Sequence, residues 1–484
     1  MKLIIGLIVG VFIFVLLKQL WKSSINSNTK NNLKSYGLII ILTLIFISVV
    51  DFTMRAFEIF KGDLFVQRNP SKVVQNIKIK NYRSQQNVSH PYFLYTSTPG
   101  FKGVLPLIEP NKNFKISINS HGFRTKKFYP KLPWKIRVII MGDSFMWGYN
   151  ANQDETPAAA LEKIIHKKIS EDVEVLSLGL TSYSGVRYAS LARIYLDYLD
   201  PDILIVAVDQ SDFNEDKKRF EEYILDENGY PLILKNAEKI LKEEKDTFLA
   251  MDVWGNMLNE NITFDPRTRI MIGSPLAETM LNFSDGLVSK SQIKEKKNKI
   301  NKITKNNFSE YYPNIKIITY SELKEKYGDD ISKGLPPYVS RDIIPYTFER
   351  AVKEYQSTFK SLEYIRNETL KRNQKLYFSS YPYPMMISPY ENINYHVKYR
   401  KNNSIFDFSE NRVHPKLMEN FASKLGVTHI NTYGVFEKNY FGMWGNFDPH
   451  FTAKGYNLFA NSLFEGIKNE IEKRLISANK KLNQ

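Results

Sequence analysis

"VIIMGDSFMWGYNA", residues 138–151, opens with four apolar residues and breaks into Gly142-Asp143-Ser144. A Val/Ile run that ends at once in Gly-Asp-Ser puts a serine hydroxyl at the carboxyl end of a buried strand, which is where an open parallel sheet binds its ligands. On this stretch alone two readings of Ser144 stay open. Asp and Ser are favoured helix N-caps, so the triplet can simply start a helix. Alternatively Ser144 is a nucleophile, and then the chain must supply a base, an orienting acid and oxyanion donors elsewhere.

Four further β-rich runs accompany residues 137–141: "VEVLSL" at 173–178, "DILIVAV" at 202–208, "KLYFSS" at 375–380 and "VTHINT" at 427–432. Their near-continuous apolarity predicts strands covered on both faces. Helical periodicity lies between them. Residues 156–169 and 186–199 each carry an apolar stripe, the second stopped by Asp200-Pro201. Residues 346–372 place Phe348, Val352, Tyr355, Phe359, Leu362 and Ile365 at steps of three and four. Strand and helix alternate, which predicts a doubly wound α/β fold of about five parallel strands with helices on both faces.

Near the C-terminus, "NFDPHFTAKGYNLFANSLFEGI" (residues 446–467) offers Asp448 and His450 just before a helical pattern. An imidazole can take the serine proton, and a carboxylate beside it holds one tautomer. His450 is the candidate base and Asp448 its orienter, with Ser144 as nucleophile.

Together these stretches resemble the SGNH, or GDSL-type, hydrolase family. The resemblance is carried by Gly142-Asp143-Ser144, "LGLTSYSG" (178–185), "VDQSDFNED" (208–216), "YPYP" (381–384) and "DPHFTAKGY" (448–456), in that order along the chain. It implies an SGNH-like sheet, a serine esterase or acyltransferase activity through an acyl-enzyme on Ser144, and no cofactor. It also implies an oxyanion hole made of the Ser144 N–H, an N–H at Ser182 and a side chain at Ser211, where the family carries asparagine. Asp143, Gly179, Asp212 and Asn214 fall close to the substrate in the same blocks. The single residue between Asp448 and His450 is the tighter form common in relatives that acetylate or deacetylate secreted polysaccharides.

Outside these blocks, residues 3–17 and 36–50 are free of charge. They predict two transmembrane helices within residues 1–61, and Lys18, Lys22, Lys30 and Lys34 between them place that loop in the cytoplasm. The rest of the chain is then extracytoplasmic, in the periplasm or outside the cell. Residues 62–135 read as a strand and loop extension, 136–216 with 342–484 as the hydrolase-like domain, and 217–341 as an inserted lobe with a hairpin turn at 226–229. The net charge of +16 suits a membrane surface or an anionic glycan better than nucleic acid, while the lysine-rich run at 290–305 that carries much of it reads as a solvated or disordered insert. The chain has no cysteine, hence no thiolate metal site or disulfide. Besides His450, His90, His121, His166, His396, His414 and His429 form no close pair in sequence, so no metal is expected. An enzyme acting on an acyl ester of a cell-envelope carbohydrate or lipid is the leading expectation. A scaffold or glycan-binding module on a degenerate hydrolase fold is the alternative, favoured by Ser211.

Overall fold

The computed structural model describes residues 87–106, 113–243, 316–328, 330–335, 348–390, 404–445 and 448–482. The two apolar runs at 3–17 and 36–50 and the lysine-rich run at 290–305 lie outside them. Among the described residues no helix is long and apolar enough to cross a membrane.

Five strands form the central sheet: β1 (Ile136–Gly142), β2 (Val173–Gly179), β3 (Ile203–Val208), β4 (Lys375–Ser380) and β5 (Thr428–Asn431). Their spatial order is β2-β1-β3-β4-β5 and every pairing is parallel. This is the doubly wound order in which the chain reverses direction between β1 and β3, opening a crevice at their carboxyl ends. All residues of β1 and β3 are buried. Val138, Ile140, Ile203, Ile205 and Ala207 share one core with Leu161, Ile165, Phe459 and Leu463. The alternating Ile139, Met141, Leu204 and Val206 are equally buried on the opposite face. That two-sided burial is why the strands read as unbroken apolar runs.

Helix α1 (Ser144–Trp147) follows β1 directly, and α2 (Pro157–Lys168) leads to β2, with Thr156 as its cap and Pro157 in its first turn. Helix α3 (Gly185–Leu199) crosses back to β3, and α4 (Asp212–Phe220) leaves β3. The expected long helix before β4 is two helices, Phe348–Glu354 and α5 (Gln356–Lys371), broken at Tyr355. Tyr355 stacks on Phe213 with ring centroids 3.5 Å apart, so the break keeps the stripe on the core. Helix α6 (Val413–Lys424) precedes β5, α7 (Tyr433–Lys438) follows it, and α8 (Ala453–Leu482) closes the chain. One face of the sheet is covered by α3 with α5, the other by α2 with α8.

Both described ends of the stretch 217–341 pack on this body. Tyr223–Leu225 and Pro231–Leu234 form the hairpin read from the sequence, with Gly229 in its turn at φ +72°. Lys316–Thr319 pairs in parallel with Ser404–Asp407, and Leu323, Ile331 and Leu335 join the same core as Phe406 and Phe408. Within the extension, Phe93, Phe123 and Phe128 pack against Tyr195 of α3.

Gly142 and Gly179 end β1 and β2 side by side in register. A Cβ on Gly179 would fall 2.3 Å from the carbonyl carbon of Met146 and 2.4 Å from the amide nitrogen of Trp147. Only glycine lets α1 sit this close to the sheet. Gly179→Ala is therefore expected to cost about 1–3 kcal/mol by overpacking, read as a lower midpoint of thermal or denaturant unfolding. An unchanged midpoint would show that α1 can back away without strain.

Candidate active site

The two readings of Gly142-Asp143-Ser144 separate cleanly. Asp143 is the helix cap: its Oδ1 accepts the Phe145 N–H at 2.9 Å. Ser144 is thereby released from that duty and lies at the first helical position, half-buried, at the mouth of the crevice. Its Oγ is 2.6 Å from Nε2 of His450 and 3.4 Å from Oδ2 of Asp143.

His450 and Asp448 sit on the loop that enters α8. The Nδ1 of His450 is hydrogen-bonded to Oδ1 of Asp448, which also accepts the His450 backbone N–H at 2.9 Å. With Nδ1 donating to the carboxylate, Nε2 presents a lone pair to the serine hydroxyl, the arrangement a general base requires. The imidazole lies between Phe145 and Tyr149, each with its ring centroid 4.6 Å away. Burial lowers the His450 pKa, but the Asp448 carboxylate, then Asp143 and Asp209, more than reverse this and hold it above the ordinary histidine value. Asp448 is only 3% exposed.

One participant was missed in the sequence. Nδ2 of Asn150 donates to Oδ1 of Asp448 at 2.9 Å, so this single oxygen gathers the amide, the imidazole and the carboxamide. Asn150 has φ +62°, a left-handed conformation that asparagine tolerates better than most residues. Its loop is held by the buried Arg124, whose guanidinium donates to the carbonyls of Gly148 at 2.6 Å and Ala151 at 2.7 Å and lies over the Trp147 ring. From the other side, the Tyr456 hydroxyl of α8 donates to the Tyr149 carbonyl at 2.8 Å. The only signal in the sequence was an asparagine beside an aromatic in a short loop, which does not reveal a partner 298 residues away.

Both tyrosines of "YPYP" reach this centre. The Tyr381 hydroxyl donates to Oδ1 of Asp143 at 2.8 Å, and that of Tyr383 donates to Oγ of Ser211 at 3.3 Å. Burial, followed by repulsion from Asp209, pushes the Asp143 carboxyl up to about 7. Ser211 does not present its proton to Ser144: its Oγ and its N–H both donate to Oδ1 of Asp209, each at 2.8 Å. Asp212 is buried and accepts the Tyr188 hydroxyl at 3.1 Å, so its carboxyl faces the interior of the protein. Ser182 lies on an exposed bend at φ +56°, with its carbonyl held by Arg187 at 3.0 Å. Gly179 lies beneath α1, and Asn214 lies within α4. The chain thus brings together Ser144, His450, Asp448 and Asp143; Ser211 is bonded instead to Asp209 and Tyr383, and Asp209 acts on Asp143 and His450 through its charge. Among the described residues no group of three His, Asp or Glu side chains is arranged to hold a metal ion.

No protein-family model matches the chain, and no curated protein matches it. Among solved structures it is similar to TesA (7% identity, 69% of this chain and 98% of that one, TM-score 0.31). It is similar also to the psychrotrophic esterase EstA from Pseudoalteromonas sp. (9% identity, 69% and 98%, TM-score 0.31). A third is the acetyl xylan esterase AlAXEase (9% identity, 69% and 100%, TM-score 0.29). At such identities and scores these likenesses add nothing to what the chain's own sheet and side chains show.

Removing the Asn150 carboxamide leaves the triad acid one donor short. A hydrogen bond to a charged group is worth roughly 1.5–3 kcal/mol, so Asn150→Gly, which keeps the left-handed backbone, should slow labelling of Ser144 by a fluorophosphonate roughly 10- to 100-fold. A labelling rate equal to wild type at an unchanged unfolding midpoint would show that Asp448 is held well enough without it.

Proposed function

We propose that this chain is an SGNH-type serine esterase acting on acyl esters, and that the observation carrying this reading is the Ser144-His450-Asp448 triad at the carboxyl end of a doubly wound sheet. Ser144 Oγ attacks the ester carbonyl carbon as its proton passes to Nε2 of His450. Collapse of the tetrahedral intermediate breaks the bond to the alcohol oxygen, which takes that proton and leaves. A water then attacks the acyl-enzyme, His450 again taking the proton, and the carboxylic acid is released with Ser144 restored. Asp448 stabilises the imidazolium formed in both halves.

For the oxyanion, the reading uses the backbone N–H groups of Ser144 and Ser182. The Ser211 hydroxyl contributes only by exchanging its acceptor, since it is bonded to Asp209. A missing side-chain donor costs about 2.7–4 kcal/mol of transition-state stabilisation, so turnover is expected to be modest. Asp143, whose Oδ2 is 3.4 Å from the Ser144 oxygen, adjoins the reacting atoms.

The proposed substrate is an acetyl or other short acyl ester on a cell-envelope carbohydrate or lipid, and the proposed location is the extracytoplasmic face of the membrane. Two uncharged runs and the lysines between them support that placement. If a sugar hydroxyl replaces water in the second half, the same acyl-enzyme performs O-acyl transfer. O-acetyl content separates the two: disabling Ser144 raises it for an esterase and lowers it for a transferase.

The full chain should release acetate from nitrophenyl acetate, and Ser144→Ala should lower kcat at least about 10³-fold. Equal rates would overturn the esterase reading in favour of a scaffold. Because the base must be neutral and its pKa is raised above 6.5, kcat/KM should be low in acid and climb with pH, with its midpoint above 6.5. Asp448→Asn removes the charge that raises this pKa, so the midpoint should move down while the rate falls by roughly 10³–10⁴.

A further inference from the structure

Beside the triad, on the same end of the sheet, α7 leaves the carboxyl end of β5 and α8 begins just after His450. Between the end of α7, the following loop and the first two turns of α8 lies an open groove of about 480 Å³. Two ammonium groups, Lys438 and Lys454, line it, with three carboxamides, Asn439, Asn457 and Asn461, and an apolar side made by Tyr440, Phe441, Met443 and Leu458; no carboxylate lines it. The groove is shaped by fixed backbone. Nζ of Lys454 donates to the Phe441 carbonyl at 2.8 Å, and Gly442 turns the loop at φ +73°. Phe441 is nevertheless 48% exposed, a large apolar surface left in water. Nδ2 of Asn461 donates to Oδ1 of Asn457 at 3.0 Å, which leaves donors on Asn457 and an acceptor on Asn461 for paired hydroxyls.

We infer that this groove binds an acidic sugar residue of a polysaccharide, a uronate, next to the esterified residue; the inference rests on the esterase reading above. Each part of such a ligand has its complement. The C–H face of a sugar ring covers Phe441, vicinal hydroxyls meet the carboxamides, and the carboxylate meets Lys438 and Lys454. A neutral glycan leaves both ammonium groups without an anion, and a lipid chain, though it would cover the apolar side, leaves those charges and the Asn457 donors unanswered, since Asn439 and Asn461 already donate within the chain. Lys454 stands four residues from His450, so by chain geometry its Cα is within about 14 Å of the base. That span suits a neighbouring sugar on the same polymer.

The test is binding of the full chain to de-esterified polygalacturonate against neutral dextran, by retardation in native affinity gels. Wild type should be held by polygalacturonate and pass dextran. Lys438→Ala with Lys454→Ala should weaken retention about tenfold, and Phe441→Ala should weaken it as well. Lys127→Ala with Lys167→Ala removes the same charge from exposed positions elsewhere and should leave retention unchanged. Equal loss in the two double variants, or equal retention of wild type by dextran, overturns the groove. Hydrolysis of nitrophenyl acetate should be the same in all of them. If wild type shows none, the esterase reading fails by that measurement, while the binding result stands on its own.

Discussion

The 2.6 Å contact between His450 Nε2 and Ser144 Oγ joins residues 306 positions apart, and the architecture is arranged to hold it. Ser144 is delivered by β1, the strand beside the reversal point of the sheet. His450 arrives on a loop whose far side is α8, and α8 is packed along α2 on one face of that sheet. Neither residue is positioned by its sequence neighbours alone. The Arg124 clamp on residues 148–151 and the Tyr456 bond to Tyr149 tie the two approaches together at the loop that carries Asn150. The approaches of Ser144 and His450 are therefore tied to one short stretch of backbone.

Beneath this contact lies an unusual concentration of buried acid. Asp143, Asp209, Asp212 and Asp216 are each at most 4% exposed. Each is given donors: Tyr381 and an amide for Asp143, Ser211 and two amides for Asp209, Tyr188 for Asp212, and Ser184, Thr358 and an amide for Asp216. Burial raises all four pKa values even so. Under the proposed esterase reading, the effect on the reaction has two signs. Negative charge on Asp143 and Asp209 favours the imidazolium of His450, but a full charge on Asp143, 3.4 Å from the serine oxygen, opposes a developing oxyanion. Burial, followed by repulsion from Asp209, pushes the Asp143 carboxyl up toward its neutral form, which limits that opposition.

Much of this was readable in advance because it follows from periodicity. Strands covered on both faces must be apolar throughout, so the five runs announced themselves, and the Gly-Asp-Ser and Asp-Pro-His blocks held the serine, aspartate and histidine that the fold brings into contact. The tyrosines of "YPYP" were noticed as a pattern; that their hydroxyls reach Asp143 and Ser211 is a matter of geometry after β4. Asn150 was not readable, since its role depends on a left-handed backbone and on Arg124, which reaches it from the extension. Nor was the break at Tyr355, where one continuous stripe is divided by a ring stacking on Phe213.

Ser211 shows most clearly where residue type and residue role part. From the sequence it stood where a carboxamide is expected, and the question was whether a shorter side chain could reach the oxyanion. In the structure reach is secondary, because the one proton of the hydroxyl is already given to Asp209 and the oxygen accepts from Tyr383. A carboxamide has two N–H donors and can satisfy Asp209 while still offering one outward; a hydroxyl has a single proton and must choose. The substitution thus changes the number of donors as well as their length, and it is the buried Asp209 that forces the choice. Under the proposed esterase reading, oxyanion stabilisation then falls to main-chain N–H groups, whose placement depends on how α1 and the turn at Ser182 are held.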